Sequence, residues 1–383
     1  MGLTRLLPVL AATQTIALTR TAYRVLTRLP GPEIAVSGAP VADDKRTVII
    51  IPVLNEEARL TTCLEGAIIQ GDEVTEILVV DGGSSDGTHA IVDAFARRDS
   101  RVRWVDASPV PVEWNGKAWN LQRGLESLLS DAPWVLMLDA DVRPQPYLAR
   151  SLLHFARAQG VNMLSVATQQ LVSGALEGVL HPAMLTTLVY RYGAPGRATS
   201  VVSDVQANGQ CMLVLRDAWQ AVGGMNMARS SVCEDVTLAR VFAAAGHTVG
   251  FYQAPGLIDV RMYASWRDAW DNWPRSLPLR DRFTQWSSLL QLFELTLTQG
   301  LPMLLLGVLA VRPASPWLRS VNVALMGLRI GVLAGAAGAY VRRPWTYWCS
   351  PLADPLVMFA LWRSVFRRRH FWRGRALPSG RLS

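Results

Sequence analysis

The chain has 383 residues, 50% of them hydrophobic, with a mean hydropathy of +0.19 and a formal net charge of +8 from 38 basic and 30 acidic side chains. That length carries a sizeable core and two structural parts, and the hydropathy is high for a wholly soluble enzyme. A basic excess suits nucleic acid or an anionic membrane surface, but no zinc-finger spacing, RNA-stacking motif or basic repeat supports nucleic acid. Cys63, Cys211, Cys233 and Cys349 are scattered with no C-x-x-C pair. They predict reduced thiols in a cytoplasmic setting. No small-residue cleavage site follows an early apolar run, so no cleaved signal peptide is expected.

Residues 1–30 are apolar but broken by Arg5, Arg20, Arg24 and Arg28, and the stretch Leu6–Leu18 still contains Gln14. That stretch falls short of the roughly 20 residues a crossing needs. It predicts an amphipathic helix lying in the membrane interface, with a spanning helix as the alternative. Residues 31–45 read as a linker, closing a first region of 1–45.

From Thr47 the pattern changes. "TVIIIPV" (47–53), "EILVVD" (76–81) and "WVLMLD" (134–139) are apolar runs of the kind buried on both faces of a sheet. Helix-period segments near 56–69, 88–98 and 117–130 lie between them. Strands alternating with helices predict a mostly parallel α/β sheet, whose ligands bind at the carboxyl ends of the strands. The polar clusters fall at those ends: Asn55 and Glu56 after the first strand, Asp81 after the second, Asp139 and Asp141 after the later one.

Beyond about residue 276 the composition turns apolar. "SLLQLFELTLTQGLPMLLLGVLAV" (288–311) is long enough to span, 320–341 is a second candidate containing Arg329, and 351–366 is shorter and carries Asp354. Three crossings would put the basic tail "RRRHFWRGR" (367–375) outside if the α/β domain is cytoplasmic, against the positive-inside rule. Two crossings and a short interfacial or re-entrant third segment keep both the tail and "VRRP" (341–344) inside.

Several loops invite chemistry. "PVLNEE" (52–57) is a turn able to face a nucleobase, or only a helix start that favours acids. "DGGSSDGT" (81–88) permits close backbone approach to a ligand at a helix N-terminus, yet has neither the dinucleotide nor the P-loop spacing. The only lysines are Lys45 and Lys117. Lys117 sits near the start of a predicted helix, where a cation opposes the dipole and a phosphate would relieve the conflict. Asp139 and Asp141 are hard oxygen donors that reach one Mg2+ or Mn2+ only if the chain bends after the strand; otherwise they are a solvated edge. Glu234 and Asp235 begin a helix in "CEDVTLAR" (233–240), where acids are favoured structurally or where a carboxylate serves as general base.

The order of "IPVLNEE", "VVDGGSSDGT", "GKAWNL", "LDADV", "ANGQCMLV" and "CEDVTLAR" resembles that of family 2 glycosyltransferases with the GT-A fold, over roughly residues 46–275. "GKAW", "ANGQ", "RMYASWRDAWDNW" (261–273) and "FWRGR" look most like membrane glycosyltransferases of carotenoid and hopanoid pathways. The resemblance implies an α/β fold with a GT-A sheet sandwiched by helices over 46–275. A membrane region follows over 276–383, with about two spanning helices, a short third and a basic tail.

It also implies roles. Pro52, Val53, Asn55, Glu56 and Asp81 would line the nucleotide pocket, Lys117 would lie beside the nucleotide, and Asp139 and Asp141 would form the D-x-D motif, with Asp141 on Mg2+ or Mn2+. Asp235 would be the base, supported by Glu234. Arg275 would contact phosphate, and Gly209, Gln210, Trp270 and Trp273 would line the acceptor region, although interfacial packing also explains the tryptophans. Residues 176–192 are expected to guide a lipid to the site or to be an ordinary core helix. The Q-x-x-R-W motif of processive synthases is absent, which favours one sugar per acceptor. The implied reaction is inverting transfer from a UDP- or GDP-sugar to a membrane lipid, carotenoid-like or hopanoid-like first. Sphingolipid, glycerolipid or polyprenyl phosphate are alternatives, and nucleotidyl transfer is an alternative of another class. The expected place is the inner cell membrane, with the catalytic domain on the cytoplasmic side.

Overall fold

The computed structural model describes residues 2–42, 46–172, 174–263, 265–273, 285–311, 315–366, 371–372 and 375–376. The chain divides into two compact units: residues 31–170 with 195–262 and the last residues from 369, and residues 1–30 with 171–194 and 263–368.

The first unit is built on strands β1 (Thr47–Val53), β2 (Val74–Asp81), β3 (Val102–Asp106), β4 (Trp134–Leu138), β5 (Val142–Pro144), β6 (Met163–Ala167), β7 (Gln169–Leu171), β8 (Arg197–Thr199), β9 (Cys211–Leu215), β10 (Val249–Gln253) and β11 (Ile258–Val260). Eight of them form one sheet in the order β3-β2-β1-β4-β9-β6-β10-β8. β3, β2, β1 and β4 are parallel neighbours, as are β6 and β10. β9 is antiparallel to both β4 and β6, and β8 is antiparallel to β10. β5, β7 and β11 form part of a small second sheet.

The apolar runs close both faces of the large sheet. Ile49, Ile51, Val53, Leu136 and Leu138 point into one core with Leu60, Leu64, Val92, Leu148 and Leu152. Val48, Ile50, Val135 and Met137 point into the other with Leu121, Leu125, Leu238 and Phe242. This period-two division leaves β1 and β4 apolar on both faces apart from Thr47, whose hydroxyl donates to Trp134 O at 3.1 Å. It also places the helices Gly116–Glu126 and Glu234–Ala244 on the same face of the sheet. Their N-terminal residues are Lys117 and the pair Glu234 and Asp235, so sharing a face is what lets these side chains meet.

The second unit is helical. Its helices are Gly2–Thr27, Ala175–Tyr192, Trp266–Asn272, Gln285–Leu295, Pro302–Val311, Pro316–Gly335 and Asp354–Phe366. Pro316–Ala339 is long and apolar enough to cross a bilayer, with a mean hydropathy of 1.6 over its best window. The stretch expected to span over 288–311 is bent: Trp286–Gly300 and Pro302–Val311 together are long and apolar enough to cross, and meet at a 45° bend. A π-turn at Thr296–Gly300 precedes Pro302, and Leu301 N–H reaches back to Thr296 O at 2.9 Å. Proline has no N–H to continue the ladder, so the helix axis changes direction there.

The N-terminal helix is longer than its uninterrupted apolar stretch. Gln14 is fully buried, exchanging hydrogen bonds with the Asn322 amide and donating to Leu297 O at 2.9 Å. The polar break read in the sequence therefore faces other helices. Farther along, Arg24 and Arg20 pair with Glu294, the acid within the 288–311 stretch, at 3.1 and 3.4 Å.

Candidate active site

The first unit gathers its charged residues at the carboxyl edge of β4. β9 runs antiparallel beside β4, with Leu138 opposite Cys211. The residues entering β9 therefore lie beside those leaving β4, and Asp139 N–H donates to Gln210 O at 3.0 Å. The helix Gly116–Glu126 opens at the same place. Asn115 caps it by accepting from Lys117 N–H at 3.1 Å, and donates its side-chain amide to Ser231 O at 2.8 Å, just before the helix that carries the acidic pair.

Lys117 Nζ lies 2.7 Å from Asp139 Oδ1, 3.0 Å from Glu234 Oε1 and 3.2 Å from Gly209 O. The conflict between a cation and the helix N-terminus is thus resolved by carboxylates brought from two other elements. Those carboxylates, with Asp235, hold the ammonium well above the ordinary lysine range despite burial. Asp235 Oδ2 accepts from Gly209 N–H at 2.7 Å and Oδ1 from Val236 N–H at 2.8 Å. Burial and the charge of Glu234 push Asp235 up to about 7, with Lys117 pulling the other way. A carboxyl that titrates near neutrality and is fixed by two backbone donors is suited to accept a proton.

Gly209 lets Lys117 and Asp235 pack this closely. A Cβ there would sit 2.8 Å from Lys117 Nζ and 3.2 Å from the Asp235 Cβ. Gln210 is buried, its side-chain oxygen accepting from Thr168 Oγ1 at 2.5 Å and from the Asn208 amide at 2.9 Å.

A second group lies at the ends of β1 and β2. Pro52 and Val53 are buried in β1, and Val53 pairs in register with Asp81. Asp81 is buried and accepts from Ser84 N–H at 2.9 Å and Ser84 Oγ at 2.6 Å. Burial raises its pKa, while the Ser84 bonds oppose the rise. Asn55 adopts a left-handed conformation, with φ of 54°. It ties the two loops together, its side-chain oxygen accepting from Ser85 N–H at 2.9 Å and its own N–H donating to Ser84 Oγ at 2.8 Å. Glu56 is buried, with its N–H on Thr88 Oγ1 at 2.9 Å.

Sequence reasoning passed over Asn120. Its amide donates to Val53 O at 2.9 Å and Val80 O at 3.1 Å, pinning both strand ends. A buried polar residue one helical turn after Lys117 was the available signal. Cys63 was also missed as a neighbour of the site. Its thiol is raised well above the ordinary range, chiefly by burial and then by the charges of Asp141, Asp139 and Glu56.

Asp139 and Asp141, separated by Ala140 after β4, offer the hard oxygen donors that Mg2+ or Mn2+ takes. The donor chemistry fits such an ion. Among the described residues, no three His, Cys, Asp or Glu side chains are grouped so as to hold one. Asp139 is directed to Lys117.

Trp270 and Trp273 belong to the helical unit. Trp273 is buried, its ring 4.4 Å from that of His181 and 6.0 Å from that of Tyr263. Arg275 lies outside the described residues.

Residues 48–200 match the family model for glycosyl transferase family 2, and the chain carries a glycosyltransferase domain of that family. Its fold is shared over 94% of this chain and 98% of the other with the mannosyltransferase PcManGT from Pyrobaculum calidifontis, solved with GDP-Man and Mn2+, at a TM-score of 0.54 and 16% identity. The chain is 27% identical to the succinoglycan biosynthesis protein ExoA of Rhizobium meliloti (strain 1021), over 53% of its own length and 59% of that protein's. It is 25% identical to the 4,4'-diaponeurosporenoate glycosyltransferase of Staphylococcus aureus (strain MRSA252), over 57% of each chain. The match thus spans somewhat more than half the length of these two relatives. The GT-A type α/β sheet expected from the motif order is the fold observed.

Proposed function

We propose that the protein transfers a single sugar, with inversion, from a nucleotide-sugar donor to a membrane lipid. The observation that carries this reading is the link from Asp139 through Lys117 to Glu234, with Asp235 fixed beside it by Gly209 N–H. A donor-side aspartate and a candidate base are joined by one ammonium at one strand edge.

In this reading Asp81, Pro52, Val53, Asn55 and Glu56 form the nucleotide side, and Lys117 offers its charge to the diphosphate. A divalent ion on Asp139 and Asp141 would offset charge on the leaving diphosphate. Asp235 removes the acceptor hydroxyl proton as that oxygen bonds to the anomeric carbon. The bond from that carbon to the diphosphate oxygen breaks, and its electron pair leaves with the nucleoside diphosphate. A carboxyl acceptor attacks as its carboxylate and needs Asp235 only to keep it ionised. Glu234 holds Lys117 and, by its charge, keeps Asp235 basic enough to act near neutral pH.

The lipid acceptor is supported by the spanning-length helix Pro316–Ala339 and by the likeness to the diaponeurosporenoate enzyme. The place proposed is the inner membrane, with the site on the cytoplasmic side. The helix Ala175–Tyr192 and the region of Trp270 and Trp273 would guide the lipid, with Gly209 and Gln210 framing the acceptor side of the base.

The test uses full-length protein in detergent with UDP- or GDP-sugar, a lipid extract and Mg2+ or Mn2+. Asp235→Asn should lower transfer by about 10²–10⁴-fold and leave nucleotide binding intact. Asp141→Ala should abolish transfer and also weaken metal-dependent nucleotide binding. Transfer at the normal rate by Asp235→Asn removes the base assignment, and transfer only to a soluble acceptor removes the lipid.

A further inference from the structure

Lys117 Nζ has three N–H groups, and the structure supplies three acceptors: Asp139 Oδ1 at 2.7 Å, Glu234 Oε1 at 3.0 Å and Gly209 O at 3.2 Å. The seat is shaped to the ammonium, because a methyl group on Gly209 would come within 2.8 Å of it. An acidic pocket at the strand edge is thus already served by a cation of the chain itself.

We propose that Lys117 is a built-in counter-cation that competes with divalent metal for Asp139, so that metal and nucleotide diphosphate bind together rather than separately. The proposal rests on the donor-site reading of Asp139 and Asp141. A metal drawn to Asp139 would place a second cation beside a largely buried ammonium, where repulsion is poorly screened. The anionic oxygens of a diphosphate give Lys117 another partner, and its long flexible stem lets it turn toward them. Glu234 remains as its second partner, and Asp139 is released to the metal. Asp235 is spared this exchange, because its Oδ2 is held by Gly209 N–H at 2.7 Å.

Mn2+ binding, followed by electron paramagnetic resonance on the full chain in detergent, tests this without relying on activity. Wild-type protein should bind Mn2+ weakly alone and about tenfold or more tightly with UDP or GDP. Lys117→Met should bind Mn2+ alone about tenfold or more tightly than wild type does. Lys117→Arg keeps the cation and should retain weak binding of Mn2+ alone. Wild-type protein that binds Mn2+ equally well with and without nucleotide overturns the proposal, whatever the variants do. So does a folded Lys117→Met protein with unchanged affinity for Mn2+ alone, while nucleotide-dependent binding in the wild type leaves the donor-site reading standing. If wild-type protein binds no Mn2+ even with UDP or GDP, the donor-site reading fails and the competition falls with it.

Discussion

The two units bury charge in opposite ways. In the α/β unit, Asp139, Glu234 and Asp235 surround one ammonium, and Asp139 remains about a quarter exposed. In the helical unit, Arg329 meets Asp354 through two contacts, Nε to Oδ2 at 2.8 Å and Nη2 to Oδ1 at 3.1 Å, with both side chains 1% exposed. Ser350 Oγ accepts from Arg329 at 2.9 Å, and Gln299 of the π-turn donates to Asp354 at 2.8 Å and to Ala183 O at 2.8 Å. One cluster has more acid than base and an open side, and can exchange partners. The other is balanced and closed, and joins four segments of one unit. Surplus charge with access marks a place for ligands, whereas matched charge without access marks a fastening.

The largest expected effect tests the fastening. Arg329→Met leaves the Asp354 carboxylate buried beside Gln299 and Ser350 with no counter-charge, which should cost about 3–5 kcal/mol of stability. Adding Asp354→Leu removes the stranded charge and should restore much of the loss. Thermal unfolding in detergent reads both. If Arg329→Met melts with the wild type, the pair fastens nothing and the contrast between the units loses one side.

A smaller effect tests the open cluster. Gly209→Ala sets a methyl group against Lys117 Nζ and the Asp235 Cβ, and such overpacking costs about 1–3 kcal/mol. Because Gly209 also fixes Asp235, transfer should fall by about 10–100-fold with the melting temperature only slightly lowered. Unchanged transfer would show that the cluster tolerates movement that a preorganised site does not.

The sequence made the α/β unit legible where periodicity and burial agree. The runs 47–53 and 134–138 are strands because every residue in them is buried, which only a sheet covered on both faces explains. Lys117 was legible as a misfit with the helix dipole. The antiparallel direction of β9 was not, since a short apolar run such as "CMLVL" (211–215) carries no mark of polarity. Gly209 could therefore be placed in a motif but not recognised as the peptide that holds Asp235. In the helical unit hydropathy treated Gln14, Arg329 and Asp354 as interruptions, because it scores each residue alone. Their partners lie far off in sequence, at Asn322 for the first and at each other for the pair. The bend near residue 301 left only Gly300 and Pro302 as signals, and neither changes a hydropathy average.

The smallest effect sharpens the comparison by asking what surplus charge does to chemistry. Asp235 stands near 7 because burial and the Glu234 carboxylate both resist its ionisation, with Lys117 opposing them. A base acts only when ionised, so kcat/KM should fall about tenfold for each pH unit below that value. Glu234→Gln removes a negative neighbour and makes ionisation of Asp235 easier. The acidic limb of the profile should then move to lower pH, by on the order of one unit. If the limb stays in place, burial alone raises Asp235 and Glu234 serves only to seat Lys117. If it moves up, the lost carboxylate acted through Lys117, whose contact with Glu234 would then have held the ammonium where it lowers the Asp235 pKa.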